Sequence, residues 1–242
     1  MVEIIEGIEI IEWALYITKG KVLIIGDLHL GFEDAIIKEG YLVPKFQFKA
    51  IKENLERIFE NKEIKKIILN GDVKHEFSRI NNQEWDNVYG LLEFLKDRCD
   101  VEIILGNHDV IMKKNLESKG YNVKSYFIFD DMIILHGDSI PFEAHDKNTI
   151  IIGHEHPSVM LKEGPKAEKY KCFIKGKWKD KTLIVMPSFN PLSEGSDILN
   201  DRFLSPFMEE PISNFELFIV GDEVYNFGKV KNLVSRYTSE GL

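Results

Sequence analysis

The chain has little cysteine, no long apolar run and no excess of basic charge, and each shortage closes off a class of function. Two cysteines among 242 residues, Cys99 and Cys172, are too few for a disulfide framework and lack metal-ligand spacing. They read as ordinary buried thiols in a reduced, cytoplasmic setting. Apolar runs are short, far from the ~18–20 residues needed to cross a bilayer, so no membrane partner is expected. The opening MVEIIEGIEIIEW carries glutamate ahead of its apolar residues, where a secretory leader has lysine or arginine, so no signal peptide is expected. Forty acidic residues against 31 basic ones give a net charge of −9. That balance works against a general nucleic-acid coat, because phosphate contacts need a basic face. Lysine-rich stretches at 162–181 and 229–236 could form local patches but read first as solvated surface. No internal repeat, low-complexity tract or Pro/Gly/Ser-rich linker divides the chain, and one domain over residues 1–242 is expected.

What is present is a set of short apolar runs that each end in an acid, an amide or a histidine. They are IIGDLHLG (24–31), ILNGDVKHE (68–76), IILGNHD (103–109), IILHGD (133–138) and IIGHEHP (151–157). Six of the seven histidines lie inside these blocks, and only His145 lies outside, in a polar loop that reads as surface. In the first half, strand runs at Val22–Ile25, Ile67–Leu69 and Val101–Leu105 alternate with helical patterns near Glu33–Lys38, Phe48–Phe59 and Trp85–Leu95. Such βαβ alternation predicts a parallel sheet with ligand sites beyond the carboxyl ends of its strands. From about residue 123 short apolar runs dominate, at 126–129, 132–135, 150–152, 172–174, 183–186, 215–220 and 224–227. A second, largely β layer is expected, giving an α/β architecture of two sheets face to face with helices outside.

The blocks suit a pair of divalent cations. In Asp27-x-His29 a strand would point both side chains to one side, so a carboxylate and an imidazole could grip one ion. Asp72 follows a glycine, and its carboxylate could bridge two ions ~3.5–4 Å apart. Asn107 offers an amide oxygen, His136 ends another run, and His154 and His156 repeat the two-residue spacing. Imidazole mixed with carboxylate oxygen suits manganese first, with iron, zinc or nickel as alternatives, over lone magnesium or calcium. It is too oxygen-rich for a structural zinc.

GDLH, GDVKH, GNHD, LHGD and GHEH resemble, in order and at compatible spacing, the five signature blocks of the calcineurin-like metallophosphoesterases. The resemblance implies a four-layer αββα sandwich of two mixed sheets. It implies that Asp27, His29, Asp72 and His156 hold one metal, and that Asp72, Asn107, His136 and His154 hold the second. His108 would sit over the phosphate as general acid or charge-stabilising donor, oriented by Asp109. GDLHLGFE, Val43–Pro44, GDVKH, GHEHP, KCF and MPSFNPLSEG further resemble an SbcD-related and DNA-ligase-associated branch. There His75 would face the substrate, or else serve as a structural histidine. The chain departs from that branch at Phe189-Asn190-Pro191, where a glycine-rich turn is typical, and no long cap is expected after its catalytic core.

The expected activity is therefore a phosphodiesterase using metal-activated water on nucleic acid, at single strands or strand ends, with a helicase or ligase as partner. Two alternatives stand beside it: a phosphodiesterase or phosphatase on nucleotides or other small phosphoesters, and a non-catalytic scaffold like the retromer subunit of the same superfamily. Trp13, Trp85, Trp178 and the phenylalanines are expected in the core rather than as base-stacking platforms. Arg79, just past GDVKH, could reach a phosphate.

Overall fold

The computed structural model of the chain describes residues 2–77, 82–163 and 166–233. Its layering follows from strands that are apolar on both faces, as parallel strands buried on each side must be. In β4 (Val22–Ile25), Leu23 and Ile25 enter one apolar cluster and Val22 and Ile24 another. Ile67 and Leu69 of β5 (Lys66–Asn70) and Ile103 of β6 (Asp100–Ile104) join the first cluster, while Ile68 and Ile104 join the second. The first cluster is capped by helices: Ile51, Leu55 and Ile58 of α2 (Gln47–Asn61) and Val88, Leu91, Leu92 and Leu95 of α3 (Asn82–Lys96). The shorter α1 (Phe32–Lys38) and α4 (Lys113–Ser118) follow β4 and β6.

The second cluster lies between the sheets. Ile134 of β9 (Met132–Leu135), Ile151 of β10 (Thr149–Ile152) and Ile184 of β13 (Lys181–Val185) face Ile24, Ile68 and Ile104 across it. Their neighbours Ile133, Leu135, Ile150, Ile152, Leu183 and Val185 turn outward to a third cluster, closed by Phe207, Met208, Val230 and Leu233. Residues 230–233 are helical, so helical segments flank both sheets.

The first sheet runs β1 (Val2–Ile5), β2 (Ile8–Ile11), β3 (Ala14–Ile17), β4, β5, β6, β7 (Asn122–Lys124). Its first four strands are antiparallel and its last four parallel. The second is built around parallel β9, β10 and β13. β8 (Tyr126–Phe129) flanks β9, and β11 (Pro157–Glu163), β12 (Lys166–Trp178) and β14 (Ser196–Asp197) extend the β13 side. β15 (Glu216–Val220) pairs with β12, and β16 (Val224–Lys229) with β15. The two mixed sheets and flanking helices are the α/β sandwich expected from the sequence. The antiparallel meander β1–β3 was not expected. In β1 and β2 glutamates alternate with buried isoleucines, a two-residue pattern fainter than a continuous apolar run, whereas β3 (ALYI) is a short buried run in its own right. β11 was not expected either, and of β12 only the run 172–174 was, its lysine-rich remainder masking the strand's length.

Candidate metal centre

The carboxyl ends of β4, β5, β6, β9 and β10 all open on one edge of the sandwich, and the five sequence blocks begin there. Asp27, His29, Asp72, His154 and His156 each adopt a left-handed backbone, with φ of 55, 44, 46, 67 and 45°. That conformation costs a residue with a Cβ about 1–2 kcal/mol. It corrects the expectation that strand alternation makes Asp27 and His29, or His154 and His156, converge: they stand past their strands, and backbone reversals aim them. Glycines admit the crowding. A Cβ on Gly71 would collide with the His136 ring, and one on Gly153 with the Asp27 carboxylate.

Asp72 is the hub. Its Oδ2 lies 3.7 Å from His29 Nε2, 3.4 Å from His136 Nε2 and 3.8 Å from His108 Nε2, and its Oδ1 accepts the His108 amide at 3.0 Å. Asp27 Oδ1 lies 3.3 Å from His156 Nε2 and 3.5 Å from His136 Nδ1, while its Oδ2 accepts the His154 amide at 3.0 Å. Imidazole nitrogens face each other directly. His29 Nε2 is 3.3 Å from His156 Nε2, His154 Nδ1 is 3.0 Å from His136 Nε2, and that same His136 nitrogen is 3.0 Å from Asn107 Oδ1. Ligand atoms of Asp27, His29 and His156 lie within 4.8 Å of one another, as do those of Asp72, His136 and His154, and those of His29, Asp72 and His108. Facing lone pairs need a cation or a shared proton between them. Asp27 Oδ1, His29 Nδ1 and His136 Nδ1 are also buried without a hydrogen-bond partner. The donor set fits divalent metal.

The electrostatics among the protein groups point the same way. Burial penalises the Asp72 carboxylate, but the His136 bond, the nearby His136 and His29 charges and the His108 amide outweigh it and hold its pKa well below the usual range. Burial opposes the charged form of His136, yet its bond to Asp72 and the charges of Asp27 and Asp72 raise it to about 9. Burial, with His156 nearby, pushes His29 down to about 3, leaving a neutral donor. A cation shared by these groups would replace the proton on His136 and relieve both carboxylates.

His108 is held differently from the expectation. Its Nδ1 donates to the His75 carbonyl at 2.5 Å, which leaves Nε2 aimed at Asp72 and the open side. Asp109 does not orient that ring. Its buried carboxylate accepts amides from Gly106 at 3.1 Å, Val73 at 3.1 Å and Lys74 at 3.3 Å, tying the GNHD loop to the GDVKH loop. Burial and the Asp72 charge push Asp109 up to about 7 despite those bonds. A carboxylate so enclosed has no lone pair free for the His108 ring. The His75 ring is half-buried between Phe32, 4.8 Å away and edge-on, and His108, 6.0 Å away and stacked.

Several supports left no mark in the sequence. Gln47, at the start of α2, donates to the carbonyls of Leu28 and His29 and accepts the Gly31 amide. Ser188 donates to the Asp27 carbonyl at 2.6 Å, and the Phe189 amide donates to Gly26. Behind them Lys171, buried, donates to the carbonyls of Ser188 and Asn190 and lies 4.1 Å from the Trp13 ring. Burial pulls Lys171 down to about 7. MPSFNP is thus a buried brace for Asp27, and Lys171 departs from the solvated reading of residues 162–181. Cys172 is buried and Cys99 partly so, both free. His145 is exposed, Trp178 is core, and Trp13 and Trp85 pack against core, as expected. Arg79 and residues 234–236 lie outside the described residues. Among the described residues no helix is long and apolar enough to cross a membrane.

No curated protein matches this chain. Among solved structures, the nuclease MPE of Pseudomonas putida is 18% identical over 88% of this chain and 91% of its own, with a TM-score of 0.62. A protein of unknown function from Aquifex aeolicus is 19% identical over 56% and 78%, at 0.39. Zinc-bound Vps29 from Entamoeba histolytica is 16% identical over 86% and 99%, at 0.37. The first of these supports a common fold. The family model for calcineurin-like phosphoesterase matches residues 20–226, and with the five blocks gathered at one sheet edge the chain belongs to that family.

Proposed function

We propose that this protein is a two-metal phosphodiesterase that cuts nucleic acid at single strands or strand ends. The observation that carries the reading is the Asp72 carboxylate, one oxygen of which stands within 4 Å of imidazoles from both sheets. Asp27, His29, Asp72 and His156 would hold one ion, and Asp72, Asn107, His136 and His154 the other. Two divalent ions, manganese first, would supply Lewis acidity toward the phosphate oxygens and a water of lowered pKa.

The chain's own groups do the rest. With Nδ1–H committed to the His75 carbonyl, a protonated His108 presents Nε2–H to the substrate. From there it can stabilise charge on a phosphate oxygen or pass its proton to the leaving oxygen, which departs as a hydroxyl. The His75 carbonyl thereby takes the orienting role expected of Asp109, and the His75 ring lines the same side. Asp109 keeps the loops of Asp72 and His108 in register. The fold relative from Pseudomonas putida is a nuclease, which supports a nucleic-acid substrate over a small phosphoester.

Turnover of bis-p-nitrophenyl phosphate with Mn²⁺, compared with the monoester, ranks diesterase against phosphatase. End-labelled single- and double-stranded DNA and RNA then identify the substrate. Cutting of single strands or ends is the expected result. Turnover of cyclic or small diesters with no cutting of any nucleic acid overturns the nucleic-acid reading, and no metal-dependent turnover at all favours a scaffold.

A further inference from the structure

Ten large apolar side chains stand exposed among the described residues, and eight of them lie on connections that leave the metal-centre edge. Leu42 follows His29 and α1, Phe77 follows His75, Val110 and Ile111 follow His108, and Phe142 follows His136. Leu204 is drawn to the same edge because its amide donates to Glu155, between His154 and His156. The other two, Ile128 and Tyr225, lie on β8 and β16. Apolar residues exposed singly need no explanation, whereas one exposed against a site residue points to a binding surface.

Phe77 is the one that adjoins the chemistry. It is 60% exposed, and its ring meets the His108 ring edge-on at 4.9 Å. The Lys38–Glu76 pair at 3.7 Å draws the end of α1 beside it, so the Tyr41–Leu42 turn lies next along the rim. The lysines on the α1 side of Phe77 are engaged with acids, Lys38 with Glu76 and Lys45 with Asp34 at 2.7 Å, while Lys113 and Lys114 stand further out, past Val110 and Ile111. Next to His108 the rim therefore offers the apolar ring of Phe77, with lysine charge beyond it. A ligand that places a phosphodiester at His108 and a flat, weakly polar group one ring further out is an unpaired nucleotide. Paired bases would present only their edges.

We infer that Phe77 is the stacking platform for the unpaired base flanking the scissile phosphate, with the surrounding apolar rim as the track for its neighbours. This rests on the nucleic-acid reading above and names the strand feature that is recognised. The test is steady-state kinetics of the wild type, Phe77→Ala and Phe77→Tyr on a single-stranded oligonucleotide. A second oligonucleotide carries an abasic residue beside the cut. Losing one stacked base should raise KM about tenfold in Phe77→Ala with kcat little moved, and Tyr should restore it. On the abasic strand the three proteins should converge. A fall in kcat alone, equal on intact and abasic strands, would make Phe77 a mere prop for His108 and overturn the inference while leaving the function standing. An unchanged KM would do the same. A wild type that turns over small diesters but cuts no strand removes the function itself, so the two failures are distinguishable.

Discussion

The first sheet brings Asp27, His29, Asp72, Asn107 and His108 to the centre, whereas the second brings His136, His154 and His156. Both carboxylates of the expected ligand set thus come from one sheet, and to that set the other contributes imidazoles alone. The loops of the first sheet are braced by helices and by one another, through Gln47 and Asp109. Those of the second sheet are braced against the first, the His154 amide on Asp27 and the His136 ring against Asp72. The first sheet sets charge and position, and the second completes the ligand shell by docking onto it. Removing a carboxylate should therefore do more harm than removing an imidazole.

The sharpest break of that comparison is Asp72→Asn. Bridging needs the charge, and three imidazoles lose their common partner. Turnover should vanish, and elemental analysis of the metal-loaded variant should return about one ion per chain or fewer. Retention of two ions would show that the second sheet holds metal without the bridge. His108→Ala comes next. It belongs to the first sheet but not to the expected ligand sets, so metal should stay while turnover falls roughly 10²–10⁴-fold. If metal is lost in step with activity, His108 ligates, as its grouping with His29 and Asp72 would allow.

His156→Ala tests the other sheet. One imidazole leaves the Asp27 side, where His29 remains 3.7 Å from Asp72. Occupancy of one ion should fall first, with activity recovering as Mn²⁺ is raised. Calorimetric titration should show one weakened site and one intact. Weakening of both sites to the same extent would mean that the two sheets do not divide the labour.

The same contrast explains what the sequence disclosed. Parallel strands of the first sheet, apolar on both faces and separated by helices, announce themselves as continuous runs, and their ligands follow at once. The ligand runs of the second sheet, Met132–Leu135 and Thr149–Ile152, are equally plain. Strands with one polar face were lost in whole or part, β1 and β2 behind glutamates and most of β12 behind lysines, because alternation is a fainter signal than a run. The residues gathered at the centre were legible from their blocks, but how they are aimed was not. Five left-handed residues do that work, and a left-handed aspartate or histidine looks like any other in sequence. Adjacency in sequence also misled: Asp109 beside His108 suggested a ring partner, yet its carboxylate turns to the main chain of residues 73, 74 and 106.

The smallest effect concerns a buried lysine by which the second sheet supports the first. Lys171, on β12, holds the carbonyls of Ser188 and Asn190, and Ser188 in turn holds the Asp27 carbonyl. Burial lowers its pKa to about 7, against about 10.4 in an unfolded chain. Below about pH 7 the lysine is protonated in both states, and the folded protein bears the cost of the enclosed charge. Between about 7 and 10 the unfolded chain binds the proton that the folded one has released, so unfolding takes up a proton and stability rises with pH. Above about 10 both forms are neutral and the rise stops. The contribution of His136, raised to about 9, is lost with rising pH over much of the same window, so that of Lys171 is read as a difference. In thermal melts of the chelated protein at about pH 6.5, 8 and 9.5, the stability of the wild type relative to Lys171→Met should rise with pH. The variant loses the grip on Ser188 and Asn190, so its affinity for the ion beside Asp27 should fall a few-fold, with the ion at His154 unaffected. Equal slopes in the two proteins would show that the buried amine stays protonated throughout, stabilised by its two carbonyls and the Trp13 ring.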